Sequence, residues 1–164
     1  MLVCMQANIF SQSPKINGIV LFDRFTPINQ DTMSKKLINP KELYDGAASG
    51  MSQATVDTES GLVFISGQVD WNHQYETTEN SIEGQARKAL DNLKIVLASA
   101  GSSVEQLLQV RVYIRGELGE HMETLAPILS GFLGESRPAV TGIGVASLAS
   151  PSILVEVEAV ASLR

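Results

Sequence analysis

The chain has 164 residues, of which 44% are hydrophobic and only 5% aromatic, and carries a formal net charge of −6. This length suits one domain with a core of its own, while a single cysteine, Cys4, excludes an internal disulfide framework. No apolar run approaches the ~18 residues of a membrane span, and the 12 basic residues are scattered rather than gathered into the stripe that phosphate binding demands. The opening residues MLVCMQANIF lack the cationic start and sustained apolar block of a signal peptide. The expectation is a cytoplasmic protein without membrane or nucleic-acid partners.

Residues 1–32 mix Asn, Gln, Ser, Pro and Phe without a period, apart from the short run Gly18 to Phe22. They read as an N-terminal extension, peripheral or disordered, or as an artefact upstream of a second start at Met33. Residues 33–164 read as the domain, and the acidic surplus belongs to them. A strand is expected near Leu37. Gln53–Asp57 and Leu62–Ser66 are β-prone runs joined by the turn Thr58–Gly61, a hairpin. A polar loop, Asp70 to Asn80, follows. Ile82, Ala86, Leu90, Leu93, Leu97 and Ala100 then recur at steps of three and four, the period of an amphipathic helix. Ser81, or Asn80 with Glu83, caps its start, and Gly101 stands where it should stop.

Leu107 to Ile114 alternates as a strand, with Leu108, Val110, Val112 and Ile114 on one face and Leu107, Gln109, Arg111 and Tyr113 on the other. A second helix over 120–133 would bury Met122, Leu125, Leu129 and Phe132, with Pro127 as a fault inside it. Strands at 139–146 and 152–161 complete the chain. Two helices cover one face of such a sheet and leave the other bare. The bare face mixes Arg111 and Tyr113 with either Glu156 and Glu158 or their aliphatic alternates. It suits neither a monomer core nor free solvent, so it should close against copies of the chain, with any ligand site between subunits.

Chemistry-bearing residues are sparse. Glu156 and Glu158 share a strand face ~7 Å apart and could divide acid and base roles; equally they form a solvated stripe or pair with Arg111. His73 and His121 are isolated and read as surface residues, since metal sites need clustered ligands. Ser66 precedes Gly67 without a nucleophile-elbow motif. The segment Thr141-Gly-Ile-Gly144 is too short for a phosphate loop; its strand glycines mark close approach of a backbone or ligand, or tight packing. Trp71 lines a cleft or belongs to a rim or core.

Taken in order, Leu62-Val-Phe-Ile-Ser-Gly-Gln68, Gln85-Ala-Arg-Lys-Ala-Leu-Asp-Asn-Leu-Lys94, Ala98-Ser-Ala-Gly101, Gln109-Val-Arg-Val-Tyr-Ile114, Arg137-Pro-Ala139 and Leu154-Val-Glu-Val-Glu-Ala159 resemble the RidA/YjgF family of reactive-intermediate deaminases. The resemblance runs from about Leu37 to the C-terminus. It implies an α+β, chorismate-mutase-like mixed β-sheet with two helices on one face, and a homotrimer with three clefts between subunits. Active members hydrolyse enamines and imines to 2-oxo acids and ammonia without metal or cofactor. An arginine grips the substrate carboxylate, a backbone group at the position of Gly67 contacts substrate, and a glutamate at the position of Glu156 holds water.

The sequence departs from that pattern where the arginine should stand, directly after the Pro-Ala pair: the residue is Val140. Gly142 replaces a common cysteine, Met51 a tyrosine ahead of Ser52-Gln53, and the asparagine of the second helix has no counterpart nearer than Ala126. Arg137, three residues before Val140, points the other way on a strand. Loss of one partner of a charge-assisted pair in a closed cleft costs roughly 2–5 kcal/mol, so amino-acid-derived imino acids become poor substrates. The candidate site is Glu156 as the catalytic group, with Met51, Ser66, Gly67, Arg111, Tyr113, Val140, Thr141 and Gly142 as binding residues. Two readings follow: a small-molecule-binding trimer diverged from the deaminases, or a metal-free deaminase or hydrolase on an enamine, imine or related metabolite. A nucleic-acid role, suggested by endoribonuclease labels within the family, conflicts with the acidic charge.

Overall fold

The computed structural model describes residues 34–163, so the expectations for residues 1–32 fall outside the described range. Six strands, β1 (Lys35–Ile38), β2 (Ala54–Asp57), β3 (Leu62–Gln68), β4 (Leu107–Arg115), β5 (Ala139–Val145) and β6 (Val155–Ser162), form one sheet in the order β1-β2-β3-β6-β4-β5. Every pairing is antiparallel except β4 with β5. Two helices, α1 (Ile82–Ala100) and α2 (Met122–Leu133), accompany it. The architecture is mixed α+β, as the chain order of the expected elements implied, and the strand near Leu37 is present as β1. No helix among the described residues is long and apolar enough to cross a membrane.

α1 follows its sequence signals closely. The Ser81 side chain accepts from the Gly84 amide at 3.0 Å, satisfying one of the free N–H groups of the first turn. Gly101 closes the other end in the left-handed conformation that a β-carbon disfavours, at φ 85°. The buried face of α1, with Ala86, Ala89, Leu90, Leu93, Val96 and Leu97, meets a sheet face made of Val63, Ile65, Val110, Val112, Ile114, Val155, Val157 and Ala159. α2 lies beside α1 and adds Leu125 and Ile128 to the same core. Leu93 is fully buried at its centre. Leu93→Ala should therefore cost about 2–5 kcal/mol, measurable as a shift of the denaturation midpoint at unchanged slope.

Three expectations need correction. Leu107 is buried and Leu108 is exposed, the reverse of simple alternation. The register explains it: Leu107 pairs with Ala161 and Gln109 with Val160, so two steps on β4 match one on β6. This bulge flips every side chain before it. In α2, Met122 is 45% exposed while Ile128 is buried; Leu129 and Phe132 are only partly buried against the core. A short 3-10 turn (Leu118–His121) leads into α2. Pro127 is accommodated inside α2, at the cost of one hydrogen bond to the preceding turn. The last strand also begins at Val155 rather than near Ser152, because 150–153 form a turn in which Ile153 N–H bonds to the Ser150 carbonyl.

Candidate functional site

The side of the sheet away from α1 carries Phe64 and Ser66 from β3, Gln109, Arg111, Tyr113 and Arg115 from β4, and Glu156, Glu158 and Val160 from β6. These residues alternate with the buried row, and all are at least partly exposed. Glu156 and Glu158, expected either as a working pair or as a solvated stripe, prove to be unlike each other. Glu158 is 2.5 Å from the Arg111 guanidinium, a direct ion pair. Its hydrogen bond, and then its charge, raise the Arg111 pKa, while Tyr113 is raised first by burial and then by its hydrogen bond to Glu158. Among the described residues Glu156 has no such partner. Burial, followed by repulsion from Glu158, raises its pKa above that of an ordinary glutamate.

A second bulge places Glu156. Ile65 pairs with Ala159 and Gln68 with Val157, so three steps on β3 face two on β6, with Ser66 and Gly67 in the excess. A β-carbon added to Gly67 would fall 1.8 Å from Glu156 Oε1, so the carboxyl lies directly against the Gly67 backbone. Only glycine leaves that space. The bulge is tied down from the other side. Ser66 N–H donates to the Gln53 carbonyl at 3.0 Å and its hydroxyl to the Ser52 carbonyl at 2.7 Å. Buried Gln68 donates through Nε2 to Gln53 Oε1 at 3.0 Å, and Gln53 Nε2 donates to the Tyr44 carbonyl at 2.9 Å.

Those bonds tie the bulge to an aromatic cluster that sequence reasoning missed apart from Trp71. Tyr44, Trp71 and Tyr75 pack mutually with ring centroids 5.1 to 5.4 Å apart. The Tyr75 hydroxyl donates to the Asp45 carbonyl, joining the loop after β3 to the segment before β2. Tyr75 adopts φ 62°, a left-handed conformation that costs a side-chain-bearing residue energy and is sustained by these contacts. Burial raises the Tyr44 phenol, a Gln53 contact partly reverses this, and the charge of Glu156 adds to the rise. Trp71 alone carried a hint of this cluster; Tyr44, 27 positions before it, gave no signal.

The structure divides the remaining candidates. Ser66, Gly67, Arg111, Tyr113 and Glu156 occupy the open face, and Thr141, in register with Arg111, shares it. Met51 lies in the loop before β2, 45% exposed, its N–H bonded to the Gly46 carbonyl. Val140 and Gly142 do not join them. They are in register with Val110 and Val112, so they point to the helix side at the sheet's outer edge. There a β-carbon on Gly142 would meet Leu118 Cδ2 at 2.8 Å, and one on Gly144 the Gly116 carbonyl oxygen at 2.6 Å. These strand glycines therefore serve tight packing. Val140 is 47% exposed at that edge. Within one chain Val140 and Glu156 lie on opposite faces of the sheet. His73 is exposed and His121 partly so; no group of three or more His, Cys, Asp or Glu suited to a metal occurs among the described residues.

Residues 41–163 match the family model described as Endoribonuclease L-PSP. A RutC family protein of Pyrococcus horikoshii is 30% identical over 101 residues, covering 61% of this chain and 78% of its own. The crystal structure of yeast Mmf1 superposes with a TM-score of 0.71 at 25% identity, covering 79% of this chain and 99% of the other. A protein of the conserved Rid family from Yersinia pestis, YyfA, described as of unknown function, gives a TM-score of 0.71 at 27% identity with the same coverage. The match spans both sheet faces and both helices, and with it the Gly67 bulge and the strand bearing Glu156. The chain belongs to the Endoribonuclease L-PSP family, the group that also goes by the names RidA and YjgF.

Proposed function

We propose that the protein is a homotrimer that binds a small metabolite in clefts between subunits, diverged from the deaminases that act on amino-acid-derived imines. The observation that carries this reading is the Glu156 carboxyl, without an ion-pair partner among the described residues and held against Gly67 on a sheet face that neither described helix covers. Such a face needs a partner surface, and the edge bearing Val140 is the surface that would complete a cleft from a second copy. A valine there offers no hydrogen bond to a substrate carboxylate, and desolvating that charge beside it is costly. No cofactor enters the scheme.

A second reading, catalysis on a substrate without that carboxylate, draws on the same residue. A carboxyl whose proton affinity is raised works closer to neutral pH as an acid or base toward water. The acidic surplus speaks against RNA as a ligand; RNA cleavage that survives stringent purification and moderate salt would overturn that.

The test supplies 2-imino acids in situ from an amino-acid oxidase and follows ammonia release, alongside sedimentation at micromolar concentration. The expected result is a three-chain particle that barely accelerates release, and a Val140→Arg variant that gains at least about 30-fold, the lower end of what a charge-assisted pair is worth. A monomer would overturn the intersubunit cleft. Brisk, Glu156-dependent release by the parent protein would overturn the divergence.

A further inference from the structure

Two buried polar side chains flank the Gly67–Glu156 contact along the chain, and neither belongs to the candidate site: Gln85, in the first turn of α1, and Asp70, just after β3. We propose that Gln85 is a positioning residue for Glu156, setting where β6 begins relative to the Gly67 bulge, with Asp70 anchoring the β3 side of the same contact. This rests on the reading of Glu156 as the working carboxyl and adds what holds that carboxyl in place.

The Gln85 amide is used on both sides. Its Nε2 donates to the Glu79 carbonyl and to the Ser152 carbonyl, both at 2.9 Å, and its Oε1 accepts from the Leu154 N–H at 2.7 Å. Two acceptors at one end and a donor at the other fix the amide in a single orientation. Leu154 is gripped twice, because its carbonyl also accepts from the Arg115 N–H at 3.0 Å. The residues just before it form a turn rather than a strand, so these bonds set where β6 enters the sheet. Glu156 follows two residues later, about 7 Å along the strand.

The β3 side is tied to the same point. The Asp70 carboxylate accepts from the Thr78 N–H at 2.8 Å, the Thr78 hydroxyl at 2.6 Å and the Glu79 N–H at 2.6 Å. Glu79 therefore gives its N–H to Asp70, a few residues after Gly67, while its carbonyl accepts from Gln85, whose amide also holds Leu154. This path of hydrogen bonds joins the end of β3 to the start of β6, and the Gly67–Glu156 contact closes it. The Glu156 carboxyl occupies the space that a β-carbon on Gly67 would take, so a small slip of β6 against the bulge would carry it out toward water.

Positioning and mere packing differ in what Glu156 feels. Burial, then Glu158, raises its pKa; loosening β6 would hydrate the carboxyl and lower that value again. Glu158, Tyr113 opposite on β4, and Tyr44 are the titratable groups that bear on it among the described residues, and none of them hydrogen-bonds to Gln85 or Asp70.

The carbon-13 carboxyl resonance of Glu156, identified by its loss in Glu156→Gln, can be titrated in the full-length protein. Gln85→Leu keeps the bulk and removes all the amide's bonds. It should bring the Glu156 midpoint down toward that of an ordinary glutamate by about half a pH unit or more, a threefold fall in proton affinity. Leu93→Ala, destabilised through the core instead, should leave the midpoint at the parent value. Asp70→Asn, a milder change, should shift it in the same direction as Gln85→Leu, and serves as the test if Gln85→Leu does not fold. A parent-like midpoint in the folded variant would overturn the inference, as would an equal shift in Leu93→Ala. The reading of Glu156 is judged apart: if the ammonia release gained by Val140→Arg survives the addition of Glu156→Gln, Glu156 is not the working carboxyl. The inference then falls with that reading, whatever the titration shows.

Discussion

Gly67→Ala should abolish ligand handling while leaving the fold almost untouched. The added methyl would overlap Glu156 Oε1 at 1.8 Å, Cδ at 2.6 Å and Cγ at 2.9 Å, all of them side-chain atoms. Rotating the glutamate away relieves the clash, and Gly67 does not occupy the left-handed region, so alanine brings no backbone strain. The melting temperature should stay within about 4 °C of the parent, the shift that roughly 1 kcal/mol produces in a domain of this size. Displacing the carboxyl by an ångström or more is a different matter: misplacement on that scale costs about 100-fold in rate when the group orients a reaction. Circular dichroism and melting would establish the fold, and binding or ammonia release would measure the loss. Full function in a well-folded Gly67→Ala protein would show that the contact between Gly67 and Glu156 serves packing alone.

Glu156→Gln should move stability and function in opposite directions. The glutamate's pKa is raised in the folded protein, so its ionised form is disfavoured there relative to the unfolded chain. Below the ordinary glutamate value of 4.5 both states are protonated and glutamine brings no advantage. As pH rises from there through the raised folded-state value, the parent loses stability that the uncharged variant keeps. Above that value the difference is constant. Melting curves across this range should therefore show Glu156→Gln more stable at neutral pH, with the gain disappearing in acid. If the protein is a hydrolase, the same substitution removes its acid or base and should cost about 100- to 10,000-fold in rate. A residue whose removal stabilises the fold and destroys activity is held in place for function rather than packing. A variant less stable than the parent at neutral pH would show that the carboxylate has a favourable partner in the assembled protein.

Much of this architecture could be read from spacing. The steps of three and four from Ile82 to Ala100 placed α1 and its buried face; Ser81 and Gly101 bounded it. The alternation of Ile153, Val155, Val157 and Ala159 against Glu156 and Glu158 put both carboxylates on one face, and the structure bears this out. The errors came where the period breaks. One extra residue at Leu108 inverted the faces of Leu107 and Leu108, and another at Ser66 and Gly67 created the seat of Glu156. A bulge adds a residue to one strand without a composition signal strong enough to announce it, except that glycine is common there.

The sequence by itself determined the element order, the polar character of the uncovered face and the family, because hydrophobic period and local motifs are properties of neighbouring residues. Only the tertiary structure separated Glu156 from Glu158 and assigned Arg111 to the latter. It also gathered Tyr44, Trp71 and Tyr75 into a wall and turned Val140 and Gly142 to the opposite side of the sheet. Each of those outcomes depends on which strand lies beside which, and on the register between them. A shift of one residue in register carries a side chain to the other face, and no local pattern in the chain records that choice.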